Sequence, residues 1–185
     1  RSYSHVSGKF PRVFISELLL EEFSTQLQDT VRAHVAQLPE ATTPLQLLQC
    51  QSLWPKISFE DYTNLLDESE YAAWLAAFGI RANHFTVSVN ALETFGELEA
   101  LNEFLEDRTL ILNSSGGKVK GGPEVLLAQS STMADRIPWT FAGGRTETIP
   151  SCYVEFAFRY PDRGGALYEG FVAQSADRIF ESTDS

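Results

Sequence analysis

Cysteine is nearly absent: the 185 residues hold only Cys50 and Cys152, and neither sits in a CxxC pair or beside a histidine. That excludes a zinc knuckle or a disulfide framework on sequence grounds and points to a reducing, cytoplasmic setting. Runs of Lys or Arg are also missing, and 14 basic against 25 acidic residues leave a net charge of −11. Phosphate recognition is built from clustered cations, so no nucleic-acid or anionic-membrane partner is expected. The longest apolar stretch, Tyr71 to Ile80, is well short of the roughly 20 residues a spanning helix needs. No charged-then-apolar leader opens the chain, and export or membrane insertion is not indicated. Internal repeats and low-complexity tracts are lacking as well, which removes solenoids and tail-bearing adaptors.

What is present is a hydrophobic fraction of 43% with 12% aromatics, enough for a real core at this length. Phe14 to Leu19 reads as a strand after Pro11. Phe23, Leu27, Val31, Val35 and Leu38 then recur at near-helical spacing, closed by Pro39. Ser58-Phe-Glu-Asp61 is a capped helix start, and a second helix, Glu70 to Phe78, ends at Gly79. His34 falls on the first of these helices and reads as an ordinary amphipathic-face histidine.

The second half alternates. Between Ala82 and Asn90, Phe85, Val87 and Val89 face one way, while His84, Thr86, Ser88 and Asn90 face the other. An amphipathic helix is expected over Leu92 to Glu106, followed by strands at Leu110 to Leu112, Glu124 to Ser130 and Ser151 to Tyr160. On the last strand Glu155 shares the less apolar face with Tyr153, Ala157 and Arg159. Gly116-Gly-Lys-Val-Lys-Gly-Gly122 has the glycine density of a phosphate loop but not the GxxxxGK[ST] order, and a turn carrying two lysines is expected. The order strand, helix, strand, strand, strand defines an α+β chain with a βαβββ module of the kind that forms halves of vicinal-oxygen-chelate proteins, a curled mixed sheet around a metal cavity. The expected division is residues 1–80, a late strand of a first module plus a helical segment, and residues 81–185, the βαβββ module, packed as one compact unit.

In such a module the first and last strands can lie side by side, which would bring His84 to Glu155. Imidazole plus carboxylate is part of an N/O site for a divalent metal. A lone strand histidine is more often hydrogen-bonded or solvent-facing, and a lone strand glutamate is usually exposed, so the spacing alone leaves the metal reading open against that default.

Arg81-Ala-Asn-His-Phe-Thr86 resembles the Asn-His-(Leu/Phe)-Thr motif of the 2-oxoadipate dioxygenase/decarboxylase family. Ala128-Gln-Ser-Ser131, Tyr153-Val-Glu-Phe156, Tyr168-Glu-Gly-Phe171 and Gln174-Ser-Ala-Asp-Arg-Ile-Phe-Glu-Ser182 match further blocks in order and spacing, from about Pro11 to the end. The resemblance implies a vicinal-oxygen-chelate-like fold. It implies Fe(II) held by two His and one Glu, and oxygen-dependent decarboxylation of 2-oxoadipate to 2-hydroxyglutarate in lysine catabolism. By motif match His84 and Glu155 would be two of the ligands, and Gln129, Ser131 and Ser175 would bind a dicarboxylic 2-oxo acid. The family's N-terminal His-x-x-x-Arg segment, carrying the other His, has no counterpart: His5 is followed at that spacing by Lys9. The sequence is similar to the shorter branch of the family and reads as starting inside the first module. Two other readings accompany this one. They are a vicinal-oxygen-chelate isomerase or lyase using another divalent metal, and a non-catalytic binding module with an incomplete metal site.

Overall fold

The computed structural model describes residues 2–6, 13–17, 19–38, 43, 45–46, 54–168 and 172. Two compact units divide the chain: residues 1–81 with 137–149, and residues 82–136 with 150–185. The sequence boundary at 80/81 falls beside this division, but residues 137–149 lie inside the expected second module and make their contacts in the first unit.

In the first unit, strands β1 (Ser2–Val6) and β2 (Val13–Glu17) pair antiparallel, with His5 opposite Phe14. Three helices described in full follow, each started by a serine that satisfies an orphan backbone N–H. Ser24 accepts from Leu27 N at the start of α1 (Thr25–Val35), Ser58 from Asp61 N at α2 (Phe59–Glu68), and Ser69 from Ala72 N at α3 (Glu70–Phe78). Ser58 Oγ also donates to Asp61 Oδ2 at 2.8 Å, so the capped start expected at Ser58 is formed. Gly79 ends α3 at φ 68°, a left-handed backbone that costs a residue with a Cβ about 1–2 kcal/mol.

The hairpin of β6 (Arg136–Thr140) and β7 (Thr146–Pro150) was not expected from the sequence. Its first-unit residues pack by aromatic contacts. Phe141 lies 5.2 Å from Phe59 and 5.1 Å from Tyr62 between ring centroids, and Trp139 lies 4.8 Å from Phe78.

The second unit is built on β3 (His84–Ser88), α4 (Leu98–Glu106), β4 (Lys120–Gly122), β5 (Leu127–Ser131) and β8 (Tyr153–Arg159). The sheet order is β3-β8-β5-β4, with β3 parallel to β8 and the other pairs antiparallel. This is the expected βαβββ order in a mixed sheet, with the module's first and last strands adjacent. One sheet face packs on α4: Val89, Leu98, Leu101, Leu105, Leu112, Ala128 and Phe156 form a buried cluster, joined by Val87, Val154 and Phe158. Inside it Ser130 Oγ donates to Asn102 Oδ1 at 2.7 Å, with both residues 4% exposed.

Several sequence expectations are corrected here. Leu110 to Leu112 forms no strand, only a bridge from Leu112 to Thr132, and Ile111 is 74% exposed. The helix expected from Leu92 begins at Leu98, after a 3-10 turn over Val89–Ala91. The strand expected at Glu124 begins at Leu127, after a 3-10 turn over Pro123–Val125. Phe85, expected in the core, is 65% exposed, while Val87 and Val89 pack inward. Lys120–Gly122 is an edge strand rather than part of a turn, and Lys118 pairs with Glu106. Among the described residues no helix is long and apolar enough to cross a membrane.

Candidate active site on the polar face of the sheet

The register decides which side chains share the other face, because directly paired residues project to the same side of a sheet. His84 is opposite Tyr153, Thr86 opposite Glu155, Ser131 opposite Glu155 from the other side, and Gln129 opposite Ala157. His84, Thr86, Tyr153, Glu155, Ser131 and Gln129 therefore lie on one face, away from α4. The convergence of His84 and Glu155, 71 positions apart in sequence, follows from the parallel β3–β8 pair alone.

The His84 ring is held on two sides. It stacks on Tyr153 with ring centroids 5.0 Å apart and planes 13° from parallel, and its Nδ1 lies 3.3 Å from Asn83 Oδ1. A proton on Nδ1 donates to that oxygen and leaves Nε2 with the free lone pair, the arrangement in which an imidazole ligates a metal. Burial pushes the His84 pKa below its ordinary value, and the nearby Glu155 carboxylate opposes that shift. A lowered pKa keeps the ring neutral at neutral pH, as a ligand must be. Strand alternation alone would point Asn83 away from the histidine. It precedes the first β3 residue, and its amide reaches the ring; its Nδ2 is buried without a hydrogen-bond partner among the described residues.

Glu155 accepts from Thr86 Oγ1 at 2.9 Å across the β3–β8 ladder. Sequence reasoning placed Thr86 on the polar face but gave it no role; the signal was its i+2 spacing from His84. Ser131 is 9% exposed, in register beside Glu155, and Gln129 is partly buried two pairs along the strand. Arg159, four residues beyond Glu155, donates through Nη1 to the Tyr168 carbonyl at 2.7 Å. Its backbone N–H and C=O bond the Asn90 side chain, which extends the β3–β8 pairing past Ser88. Ser175 lies outside the described residues, as do Glu169 to Phe171 and Gln174 to Ser182. His34, read from sequence as an ordinary helix-face histidine, bonds the Thr30 carbonyl within its own helix.

One imidazole and one carboxylate with neighbouring hydroxyl and amide groups form an N/O donor set, which suits Fe(II) and similar divalent metals. Among the described residues no cluster of three or more His, Cys, Asp and Glu side chains is gathered, so His84 and Glu155 fit as part of a ligand set.

An α+β βαβββ module with a histidine and a glutamate side by side on its polar sheet face is the class of protein that the geometry defines. The sequence model of the 2-oxoadipate dioxygenase/decarboxylase family matches residues 32–163, and the chain belongs to that family. A chloroplastic 2-oxoadipate dioxygenase/decarboxylase of Arabidopsis thaliana is 40% identical, over 97% of this chain and 52% of the relative. The chain thus spans about half the length of the curated relatives it matches. Among solved structures, hydroxyglutarate synthase from Oryza sativa in complex with 2-oxoadipate is 36% identical with TM-score 0.80, covering 95% of this chain and 61% of that one. A protein from Shewanella frigidimarina, provisionally named a hydrolase, is 47% identical with TM-score 0.83, covering 92% and 68%. A glyoxalase-superfamily protein from Ralstonia eutropha, 22% identical with TM-score 0.68 over 86% and 55%, shares the fold.

Proposed function

We propose that this chain carries part of the active site of an Fe(II)-dependent dioxygenase/decarboxylase acting on a dicarboxylic 2-oxo acid of the 2-oxoadipate type. The observation that carries the reading is that His84 and Glu155 share one face of adjacent parallel strands, close enough for the carboxylate to act on the imidazole, within the motif blocks of the family. The names of the relatives, and the 2-oxoadipate bound to the rice enzyme, support the substrate class.

His84 through Nε2 and Glu155 through a carboxylate oxygen are the residues that would hold the metal. Fe(II) bound there supplies Lewis-acid polarisation of the 2-oxo group and the one-electron chemistry that lets O2 react. The chain's own task is orientation. Tyr153 and Asn83 restrict the His84 ring, and Gln129 and Ser131 offer hydrogen bonds to a carboxylate or keto oxygen above the same sheet face. Ser175 is assigned to the distal carboxylate by motif match. Holding the reactants in one geometry accounts for a site with few ionisable groups, because positioning removes much of the entropic barrier. The net reaction balances as 2-oxoadipate plus O2 giving 2-hydroxyglutarate plus CO2, with no external reductant, and it belongs to lysine catabolism. A cytoplasmic location is retained from the cysteine usage; the plant relatives are named chloroplastic.

Oxygen uptake on adding 2-oxoadipate to the Fe(II)-loaded protein tests the reading, with shorter 2-oxo acids alongside. Uptake dependent on both metal and substrate is expected. Turnover that persists without oxygen, or with Ni(II) or Co(II) and no oxygen consumed, would replace it by a metal-dependent isomerase or lyase.

A further inference from the structure

Glu155 has two carboxylate oxygens, and the structure commits one of them. Thr86 and Glu155 are directly paired in the parallel β3–β8 ladder, and Thr86 Oγ1 donates to Oε1 at 2.9 Å. No second hydrogen bond to Glu155 is present among the described residues, and Oε2 has no such donor. The β-branched Thr86 side chain is limited in χ1, so the strand pairing fixes where its hydroxyl points.

We propose that Thr86 is a positioning residue of the metal centre: its hydroxyl occupies Oε1 of Glu155, so that the carboxylate presents only Oε2 to the metal. The inference rests on the reading of His84 and Glu155 as metal ligands. A carboxylate free at both oxygens can bind a divalent ion through one or both, and two-oxygen binding consumes an additional coordination position. A 2-oxo acid chelating through its keto and carboxylate oxygens needs two positions and O2 a third. An octahedral ion held by His84 and one Glu155 oxygen would have four positions for other ligands, and a second Glu155 oxygen would remove one of them. The hydrogen bond to Thr86 thus reserves a coordination position for the reactants. The same bond limits rotation of the carboxylate.

The test uses Co(II) as probe, with affinity from calorimetric titration and coordination from the visible absorption of the bound ion. The full chain is compared with Thr86→Val, Thr86→Ser, Glu155→Ala and His84→Ala. Thr86→Val, close to isosteric but without the hydroxyl, is expected to bind Co(II) about 10- to 100-fold more weakly, the range found for lost outer-shell partners, with an altered spectrum. Thr86→Ser is expected to restore affinity and spectrum, while Glu155→Ala and His84→Ala lose binding. Wild-type affinity and spectrum in Thr86→Val, with binding lost in Glu155→Ala, would overturn the role of Thr86 and leave the metal reading standing. Equal losses in Thr86→Ser and Thr86→Val would overturn it too, since the hydroxyl would not be what matters. A chain that binds no Co(II), or binds it unchanged without Glu155 and His84, would overturn the metal reading and this inference with it.

Discussion

Ser130→Ala removes a single hydroxyl from the wall behind the candidate site, and its cost can be worked from the structure. Ser130 Oγ donates to Asn102 Oδ1 at 2.7 Å, and each residue is 4% exposed. The bond joins α4 to β5, the strand that carries Gln129 and Ser131 on its opposite face. Water cannot replace the lost partner at that depth, so the penalty is that of a buried acceptor left unpaired, about 1–3 kcal/mol. For a chain of this size each kcal/mol lowers Tm by about 2–4 °C, so a fall of roughly 2–12 °C is expected. Asn102→Ala should cost at least as much, because a cavity is added. In the double variant the two losses should fall short of their sum by about 1 kcal/mol, the signature of a shared contact. The assay is calorimetric unfolding of the wild type, both single variants and the double variant. Losses that add to within about 0.5 kcal/mol would refute the reasoning, because independent sites add.

The remaining predictions concern a glycine of the edge strand, an acid-sensitive cap and a ring orientation. Gly121→Ala would place a Cβ 2.3 Å from the Leu127 carbonyl oxygen at φ +79°, and a loss of at least about 2 kcal/mol in denaturant unfolding is expected; a loss below about 0.5 kcal/mol would contradict it. Glu68 accepts from the hydroxyl and the backbone N–H of Ser24, bonds that pull its pKa below the ordinary glutamate value. A depressed folded pKa gives stability that is present above the unfolded pKa and lost as pH falls through the folded one. Glu68→Gln should therefore flatten the acid side of the stability profile and leave its neutral slope alone; an unchanged acid limb would count against the cap. Asn83→Ala should release His84 Nδ1, and long-range 1H–15N spectra of the metal-free protein at neutral pH should change from one tautomer to a mixture. A single Nδ1–H tautomer in the variant would show that Asn83 does not hold the ring.

Much of the site was legible because strands obey a period of two. The alternation around His84 and around Glu155 identifies the polar face of each strand, and the βαβββ order places those two strands together. Gln129 and Ser131 came from the motif match, and the β5–β8 register puts them on that face. Thr86 was visible as a neighbour on the face, but its bond to Glu155 depends on the cross-strand register, which no single strand encodes. The β6–β7 hairpin escaped because Pro138 and Pro150 interrupt its pattern. Leu110 to Leu112 is apolar enough for a strand yet pairs at one residue only. An apolar run does not show whether a partner strand lies beside it. Lys120–Gly122 erred the other way: glycines that suggest a turn instead permit the φ +79° that Gly121 adopts beside β5.

Simultaneous recording of O2 consumed and CO2 released by the Fe(II)-loaded protein given 2-oxoadipate, in the wild type and in His84→Ala, tests the central claim most directly. The account predicts equal amounts of the two gases in the wild type and neither in the variant. Gas exchange undiminished in His84→Ala, or CO2 released with no oxygen consumed, would contradict it.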